Sequence, residues 1–506
     1  MVAAGAKRPK REKRPNVVIV VSDQQRADTM PGVRVAKGIR TPHLEWLAGR
    51  GTLFRNAFCV DPVCTPSRTS LFSGLYPHAT GMVANHQERP ISNEMRLPAD
   101  VKLLADYLRP EGYACGYAGK WHLGTGSDRR GFADFVTHSG DYDVSGPEDN
   151  EIVRFSERIG VSLAPRGLGF DPDQAEFDAR TKVGPSLLPL AFHPAMQDAA
   201  RSADFIRRMA GDERPFLLAF SCHEPHAPFV SPEPFHRMYA QRTAELPLPE
   251  TRREMAAREV LRNRGDRKLQ PVDVFSDDDL RSMWAAYYGA VSYVDHLVGT
   301  LLAALVETNQ WDDTLFIFTS DHGELLGSHG VYLKGAAGFD ELIRIPLLIC
   351  PPGAGSGAAG MARETAHLVN HVDLAPTILR WCGQSVPDKM PGGDLRSLVE
   401  GGDEAVHDGI VVEYTSGNWG EPPVPLRVWR TPHWKYVEGK GAVAEELYDL
   451  RADPLETRNL VDDAQHAAVR DEMRRQLHAQ LRRTGDRWPE FKAPEQLVQV
   501  SRPSRA

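Results

Sequence analysis

The sequence predicts an α/β fold in which a doubly wound, mostly parallel sheet is flanked by helices and followed by a small C-terminal α+β subdomain. Several apolar, β-branched runs show no alternation with polar residues, as expected of strands that are buried on both faces of a parallel sheet. These runs are residues 16–22, 214–220, 315–320 and 344–350. Amphipathic helical patterns lie between them, and the longest covers residues 276–306.

The pattern changes to short strands with turn signals after about residue 403, and a last amphipathic helix follows. We predict three parts: a disordered basic tail (1–15), a large α/β domain (16–402) and a C-terminal subdomain with a small antiparallel sheet and a helix (403–506). The predicted helices are residues 42–48, 97–108, 198–209, 276–306, 370–379 and 464–483, and a further short strand is predicted over 112–119. Residues 125–200 and 230–275 contain irregular segments that we expect to face the substrate.

Composition narrows the class of protein. The chain has 506 residues, 41% hydrophobic and 25% charged, as an ordinary globular enzyme does. Its net charge of -8 argues against a nucleic-acid partner. Six cysteines without a Cys-x-x-Cys pattern favour free thiols in a reducing, cytoplasmic compartment. The apolar run 17–21 is too short for a signal peptide, and we predict no membrane-spanning segment.

The first strand, residues 16–22, ends in Asp23-Gln24. Open α/β sheets bind ligands at the carboxyl ends of their strands, so Asp23 is well placed to bind a metal ion. Taken alone, an aspartate at this position is more often a turn residue or a helix cap than a metal ligand. Gln24 adds a neutral oxygen donor.

The strand at residues 315–320 ends in the same way, in Asp321-His322-Gly323-Glu324. Asp23, Gln24, Asp321 and His322 would together make a site for one divalent ion, with Ca²⁺ as the first choice and Mg²⁺ or Mn²⁺ as alternatives. The imidazole of His322 makes Mn²⁺ more acceptable than it would be in an all-oxygen site.

Residues 59–85 contain the most informative motif, Cys64-Thr65-Pro66-Ser67-Arg68. Arg68 would lie one helical turn beyond Cys64 and present a permanent, forked cation. A buried cysteine at the start of an ordinary helix is the alternative interpretation.

This stretch resembles the signature by which sulfatases have a cysteine oxidised to formylglycine, and the resemblance extends over the following residues 71–77. The stretch Gly119-Lys120-Trp121-His122 is very similar to the second sulfatase signature, and residues 321–324 to a third. The resemblance covers nearly the whole chain, from Asn16 to about residue 460. It implies a sulfatase-type hydrolase of the alkaline-phosphatase-like superfamily, matured by a formylglycine-generating enzyme.

The resemblance also implies roles for individual residues. A diol at Cys64 would bind the metal ion and attack the sulfur of a small sulfate ester, giving a covalent sulfo-enzyme intermediate. The expected catalytic residues are Cys64, Arg68, Lys120, His122, His226 and Lys334. His223, a second choice after His226 in the polar loop 221–228, and Asn85 are the expected substrate-binding residues.

Gln24 departs from the sulfatase pattern, which usually has two adjacent acids here, and resembles the phosphonate monoester hydrolases. A phosphonate monoester or phosphodiester hydrolase with the same nucleophile is therefore an alternative, although the Lys120-Trp121-His122 block favours a sulfatase. An alternative of another class is a catalytically silent anion or metal binder in which Cys64 is never oxidised.

Overall fold

The protein is described from a computed structural model. The described residues are 14–32, 38–85, 97–123, 129–136, 174, 176–246, 248–253, 270–355, 362–415, 425–440 and 445–488. Most of the predicted basic tail and much of the predicted irregular segments, residues 137–173 and 254–269, lie outside them.

The strands in chain order are β1 Asn16–Ser22, β2 Thr52–Phe58, β3 Ala114–Gly119, β4 Asp134–Val136, β5 Val183–Pro185, β6 Phe216–Ser221, β7 Phe229–Ser231, β8 Gln270–Pro271, β9 Thr314–Ser320, β10 Val331–Tyr332, β11 Arg344–Ile345, β12 Leu347–Cys350, β13 Arg363–Asn370, β14 Ile410–Tyr414, β15 Leu426–Arg430, β16 Trp434–Gly439 and β17 Glu446–Asp449. The α-helices are α1 Pro42–Ala48, α2 Cys64–Ser73, α3 Pro77–Thr80, α4 Leu104–Leu108, α5 Pro194–Met209, α6 Asp277–Glu307, α7 Asp340–Ile343, α8 Leu374–Trp381, α9 Arg396–Val399 and α10 Ala467–Thr484.

The main sheet has the order β11-β2-β12-β9-β1-β6-β3-β4, and β13 pairs with β2. Neighbours from β9 to β4 are all parallel, as is the pair β2–β13. Only β11 and β12 run antiparallel to their neighbours among the described strands of this sheet. The mostly parallel sheet predicted from the sequence is confirmed.

Helices cover both faces of this sheet, as the packing of the central strand β1 shows. Val17, Ile19 and Val21 pack in a core with residues of α2, α4 and α8, whereas Val18 and Val20 pack in a second core with residues of α1, α5 and α6. A strand between two helical layers has no solvent face, which explains its continuous apolar sequence.

Helix α6 begins as predicted. Ser276 caps it by accepting a hydrogen bond from the Asp279 N–H, and three acids follow in the first turn. Its 31 residues are long and apolar enough to cross a membrane by length and composition, yet most of this helix is buried inside the protein. We therefore describe α6 as a core helix.

A second, four-stranded antiparallel sheet has the order β14-β15-β16-β17. Met473, Leu477 and Leu481 of α10 pack against its Trp429 and Tyr436. The predicted small antiparallel sheet and helix are confirmed, and the boundary at residue 403 stays a prediction.

Three predicted elements need correction. The helix predicted over 97–108 begins only at Leu104, because Asp106 caps it by accepting a hydrogen bond from the Leu103 N–H at 2.9 Å. The predicted strand 344–350 is divided by Pro346, which has no N–H for a sheet hydrogen bond. The helix predicted from residue 198 begins at Pro194, since proline is well suited to a first helical position.

Candidate active site

Neighbouring strand ends bring the predicted site residues together. The strands β9, β1, β6 and β3 are adjacent and parallel, so their carboxyl ends meet at one edge of the sheet. Asp321-His322, Asp23-Gln24, the loop 222–228 and Lys120-Trp121-His122 follow these strands. Helix α2 begins at the same edge and contributes Cys64.

Four of these residues form a compact group of potential metal ligands. One ligand atom each from Asp23, Cys64, Asp321 and His322 lies within 4.8 Å of the others, and all four side chains are buried. The Cys64 Sγ is 3.3 Å from His322 Nε2 and 3.9 Å from an oxygen of Asp23. The structure therefore brings together the cluster that two separate strand ends predicted.

The amide of Gln24 is a further candidate ligand, because Gln24 follows Asp23 directly. Its Oε1 is buried without a hydrogen-bond partner, whereas its Nε2 donates to Glu324. The backbone of Gln24 is in the left-handed region with φ of +63°. Two hydrogen bonds hold it there: its N–H donates to Asp321 at 3.0 Å, and its carbonyl accepts from the Tyr287 hydroxyl at 2.7 Å.

The ring of His322 is oriented by its own loop. Because a carbonyl can only accept, the Nδ1 of His322 must carry the proton that it donates to the Gly323 carbonyl at 2.9 Å. Nε2 is therefore the ring nitrogen that faces the cluster. Two carboxylates, an unpartnered amide oxygen and a fixed imidazole nitrogen suit one divalent cation.

Arg68 is fully buried beside the two carboxylates. Its Nε donates to Asp321 at 2.8 Å, one terminal nitrogen donates to Asp23 at 3.1 Å, and the other donates to the Ser221 hydroxyl at 2.6 Å. All three nitrogens of the guanidinium thus contact protein groups. The predicted catalytic role of Arg68 stays a prediction.

Two lysines approach the thiol of Cys64. Lys334 Nζ lies 2.8 Å from the Sγ, and Lys120 Nζ lies 3.8 Å from it while it also forms an ion pair with Asp23. Burial raises the pKa of the Cys64 thiol, but Lys120, Lys334 and His322 outweigh it and hold that pKa well below its usual value. Two ammonium groups and an imidazole therefore lie close to the sulfur.

Gly119, the last residue of β3, allows the chain to turn into Lys120 close to the neighbouring strand β6. Its φ is +96°, and a Cβ at this position would lie 1.9 Å from the carbonyl oxygen of Ser221 on the neighbouring strand. Only glycine allows β3 and β6 to approach so closely at the point where the site residues leave the sheet.

His226 is a neutral imidazole with a defined tautomer. Its Nδ1 donates to the Ala227 carbonyl, which leaves Nε2 as an acceptor 2.9 Å from Lys334 Nζ. Burial and then the charge of Lys334 lower the pKa of His226 to about 4. The ring of His223 lies beside it, with centroids 4.8 Å apart.

Asn85 and His122 both contact Thr65, the second residue of α2. The Oδ1 of Asn85 accepts a hydrogen bond from the Thr65 N–H at 3.0 Å, so Asn85 helps to cap the helix that carries Cys64. His122 Nδ1 is 3.4 Å from the Thr65 hydroxyl. The predicted role of Asn85 in substrate binding stays a prediction.

The sequence reasoning assigned no role to three residues that support this site: Glu324, Ser221 and His371. His371 contacts the Ser67 hydroxyl at 3.0 Å and the Ser320 carbonyl at 3.0 Å, which links α2 to the end of β9. Glu324 belongs to the quoted Asp-His-Gly-Glu motif, so its sequence position was a signal. The other two had no signal beyond their nearness to strand ends.

The site contains a buried thiol surrounded by carboxylates, imidazoles and lysines, and it lies at the carboxyl edge of a parallel sheet. These features define an α/β enzyme with a centre suited to an anionic group. The sulfatase family model matches residues 15–384, and a model described as N-sulphoglucosamine sulphohydrolase, C-terminal, matches residues 327–483. The chain belongs to the sulfatase family and is a sulfuric ester hydrolase.

Similar proteins include sulfatases and a phosphonate hydrolase. The uncharacterized sulfatase YidJ of Escherichia coli K12 is 32% identical over 467 residues, which cover 91% of this chain and 86% of that protein. An arylsulfatase of Clostridium perfringens is 27% identical over 474 residues, which cover 92% of this chain and 94% of that protein. The crystal structure of the phosphonate monoester hydrolase of Agrobacterium radiobacter has a TM-score of 0.74 at 27% identity, covering 92% of this chain and 96% of that one.

Proposed function

We propose that this protein hydrolyses small sulfate monoesters through a covalent sulfo-enzyme intermediate, with a formylglycine formed from Cys64 as the nucleophile. The observation that carries the proposal is the position of Cys64. It is the first residue of α2, and its Sγ lies among the potential metal ligands and 2.8 Å from Lys334 Nζ. No other described cysteine belongs to such a group.

The proposed metal site consists of Asp23, Gln24, Asp321 and His322 together with an oxygen at position 64. The unpartnered Oε1 of Gln24 supports it, because a buried amide oxygen normally has a partner. Oxygen donors favour Ca²⁺, and the imidazole also admits Mn²⁺ or Mg²⁺. A divalent cation here would withdraw charge from the sulfate oxygens and favour the ionised nucleophile.

The proposed nucleophile is the hydrated aldehyde at position 64. One hydroxyl forms the bond to sulfur while the bond from sulfur to the alcohol oxygen breaks. Loss of the proton from the second hydroxyl then expels sulfate and restores the aldehyde, so that no water has to attack the ester. A formylglycine-generating enzyme is the maturation partner that this proposal requires.

The lysines and histidines supply charge and protons. Lys120 and Lys334 approach the sulfur of Cys64 and would balance the charge of the sulfate oxygens. Because His226 is neutral and accepts from Lys334, Lys334 is the better donor of a proton to the leaving oxygen. His122, beside Thr65, would assist the collapse of the ester.

The second candidate is a phosphonate monoester or phosphodiester hydrolase with the same nucleophile. Gln24 and the similarity to the phosphonate monoester hydrolase of Agrobacterium radiobacter favour it. The Lys120-Trp121-His122 block favours the sulfatase.

One experiment separates these functions. The kcat/KM for an aryl sulfate and for an aryl phosphonate monoester is measured on a single preparation, in which mass spectrometry has established the state of Cys64. A large preference for the sulfate supports the main proposal, and a preference for the phosphonate supports the second. An unmodified Cys64 from a host that has the maturing enzyme would instead support the catalytically silent binder.

A further inference from the structure

The amide of Gln24 is held in one of two orientations. Either end of a glutamine amide fits the same space, but only the oxygen can bind a cation. Here Nε2 donates to Oε2 of Glu324, and Oε1 remains without a hydrogen-bond partner. The carboxylate of Glu324 accepts from this nitrogen, so Glu324 selects the orientation in which the nitrogen faces Glu324 and the oxygen is left for another partner.

The other oxygen of the same carboxylate holds a turn. Oε1 of Glu324 accepts from the Leu326 N–H at 2.8 Å and also from the Leu333 N–H. Leu326 and Leu333 have φ values of +44° and +72°, which non-glycine residues seldom adopt. Lys334 follows directly, so these two hydrogen bonds fix the backbone from which its Nζ reaches Cys64.

We propose that Glu324 is a positioning residue that directs the Gln24 oxygen toward the cation site and joins this ligand to the turn that carries Lys334. The inference rests on the proposed metal site. Glu324 is fully buried, and the Arg26 guanidinium donates to its backbone carbonyl at 2.8 Å, which fixes the main chain on which the carboxylate stands.

The proposal predicts that the two side chains act as a pair. In Glu324→Gln, the oxygen of the new amide would stay with the Leu326 and Leu333 N–H groups, so that its nitrogen faces Gln24. Gln24 could then form a hydrogen bond with residue 324 only by offering its oxygen, which turns its own nitrogen toward the cation. In Gln24→Glu, two carboxylates would be in contact without a hydrogen between them. The exchange Gln24→Glu/Glu324→Gln restores one donor and one acceptor in reversed order and leaves an oxygen for the cation.

The test is a titration of chelator-treated protein with Mn²⁺, followed by its paramagnetic resonance signal, and with Ca²⁺ by calorimetry. We expect Glu324→Gln to weaken Mn²⁺ binding by about 10-fold or more, as losses of outer ligand contacts do. We expect the exchange to bind Mn²⁺ more tightly than either single variant. Glu341→Gln is the control, because Glu341 is a neighbouring acid whose side chain contacts His329.

Two results would overturn the proposal: wild-type Mn²⁺ affinity in Glu324→Gln, or an exchange variant no better than Gln24→Glu. The second comparison decides the matter even when Glu324→Gln does not fold. A wild-type protein that binds neither ion would refute the metal site and this inference together. The wild type could also lack sulfatase activity while its Mn²⁺ binding still depends on the pair Gln24 and Glu324. That result would refute the proposed function and leave this inference intact.

The link to Lys334 has its own measurement. Glu324→Ala removes both acceptor oxygens, and we expect faster amide hydrogen exchange across residues 325–334 than in the wild type. The other strands of the main sheet, measured in the same sample, serve as the internal control. Unchanged exchange in this segment would show that the turn is held without Glu324 and would overturn that half of the proposal.

Discussion

Lys334 Nζ lies 2.8 Å from Cys64 Sγ, although the two residues are 270 positions apart in the chain. The same nitrogen is 2.9 Å from His226 Nε2 and 3.0 Å from His322 Nε2. Lys334 therefore joins the start of α2, the loop after β6 and the loop after β9.

Cys64→Ala should abolish turnover of an aryl sulfate, because no nucleophile remains. Cys64→Ser keeps one hydroxyl but lacks the second that releases sulfate, so we expect at most a trapped sulfate ester, visible as a mass increase of the intact protein. Cys350→Ala is a control that removes another buried thiol, at the end of β12. Full activity in Cys64→Ala would refute the formylglycine mechanism.

Lys334→Met should reduce kcat/KM most for substrates with poor leaving groups. General-acid catalysis contributes about 10²–10⁴-fold, and a good leaving group needs little of it. The measurement is a series of aryl sulfates whose phenols differ in pKa. Lys120→Met is the matched control, since it removes a neighbouring cation and should lower the whole series by a similar factor. Equal slopes for both variants would exclude Lys334 as the proton donor.

Asn85→Ala distinguishes a helix cap from a substrate-binding residue. Because Asn85 accepts from the Thr65 N–H, its loss should lower the free energy of unfolding by about 1 kcal/mol, as losses of helix caps do. It should also reduce kcat by loosening the start of α2. Urea unfolding and steady-state kinetics measure both. A rise in KM with unchanged stability and kcat would favour substrate binding instead.

His78 should make stability depend on pH. Its Nδ1 donates to Glu413 at 2.6 Å and its Nε2 donates to the Thr484 carbonyl at 2.9 Å. Burial alone would lower the pKa of His78, but Glu413 raises it to about 8. The protonated ring therefore stabilises the fold most below pH 6.5, its ordinary value, and this contribution disappears as pH rises through about 8.

The variant His78→Gln isolates this effect. The difference in unfolding free energy between wild type and variant should be larger at pH 6 than at pH 9, by about 2 kcal/mol for such a shift. Urea unfolding at both pH values measures it. An equal difference at the two values would show that folding does not raise the pKa of His78.

The sequence predicted those parts of the site that depend on strand ends. A buried run followed by a polar pair locates Asp23 and Asp321 without knowledge of any contact, because parallel strands share one carboxyl edge. The contacts of Arg68 could not be predicted, since they depend on how α2 packs over that edge. Asn85 was assigned by resemblance, and only the structure shows that its oxygen meets the Thr65 N–H.

A local hydrogen bond explains why helix α4 begins later than its apolar spacing predicts. Apolar spacing predicted a helix over 97–108, but the Asp106 carboxylate accepts from Leu103 and begins the helix at Leu104. The direction of a strand also could not be predicted. The residues 344–350 are as apolar as those of the parallel strands, but β12 runs antiparallel to β9, and hydrophobicity alone does not show strand direction.

The contacts of Arg68 have a consequence for the order in which this site can be assembled. Its guanidinium forms ion pairs with both Asp23 and Asp321 in the folded chain, and the ammonium of Lys120 forms a further one with Asp23. Two adjacent acids can therefore be buried without an external cation to hold them together. If the proposed metal site is correct, folding and metal loading would be separate events, and an ion could enter the folded chain and be exchanged for another without unfolding it.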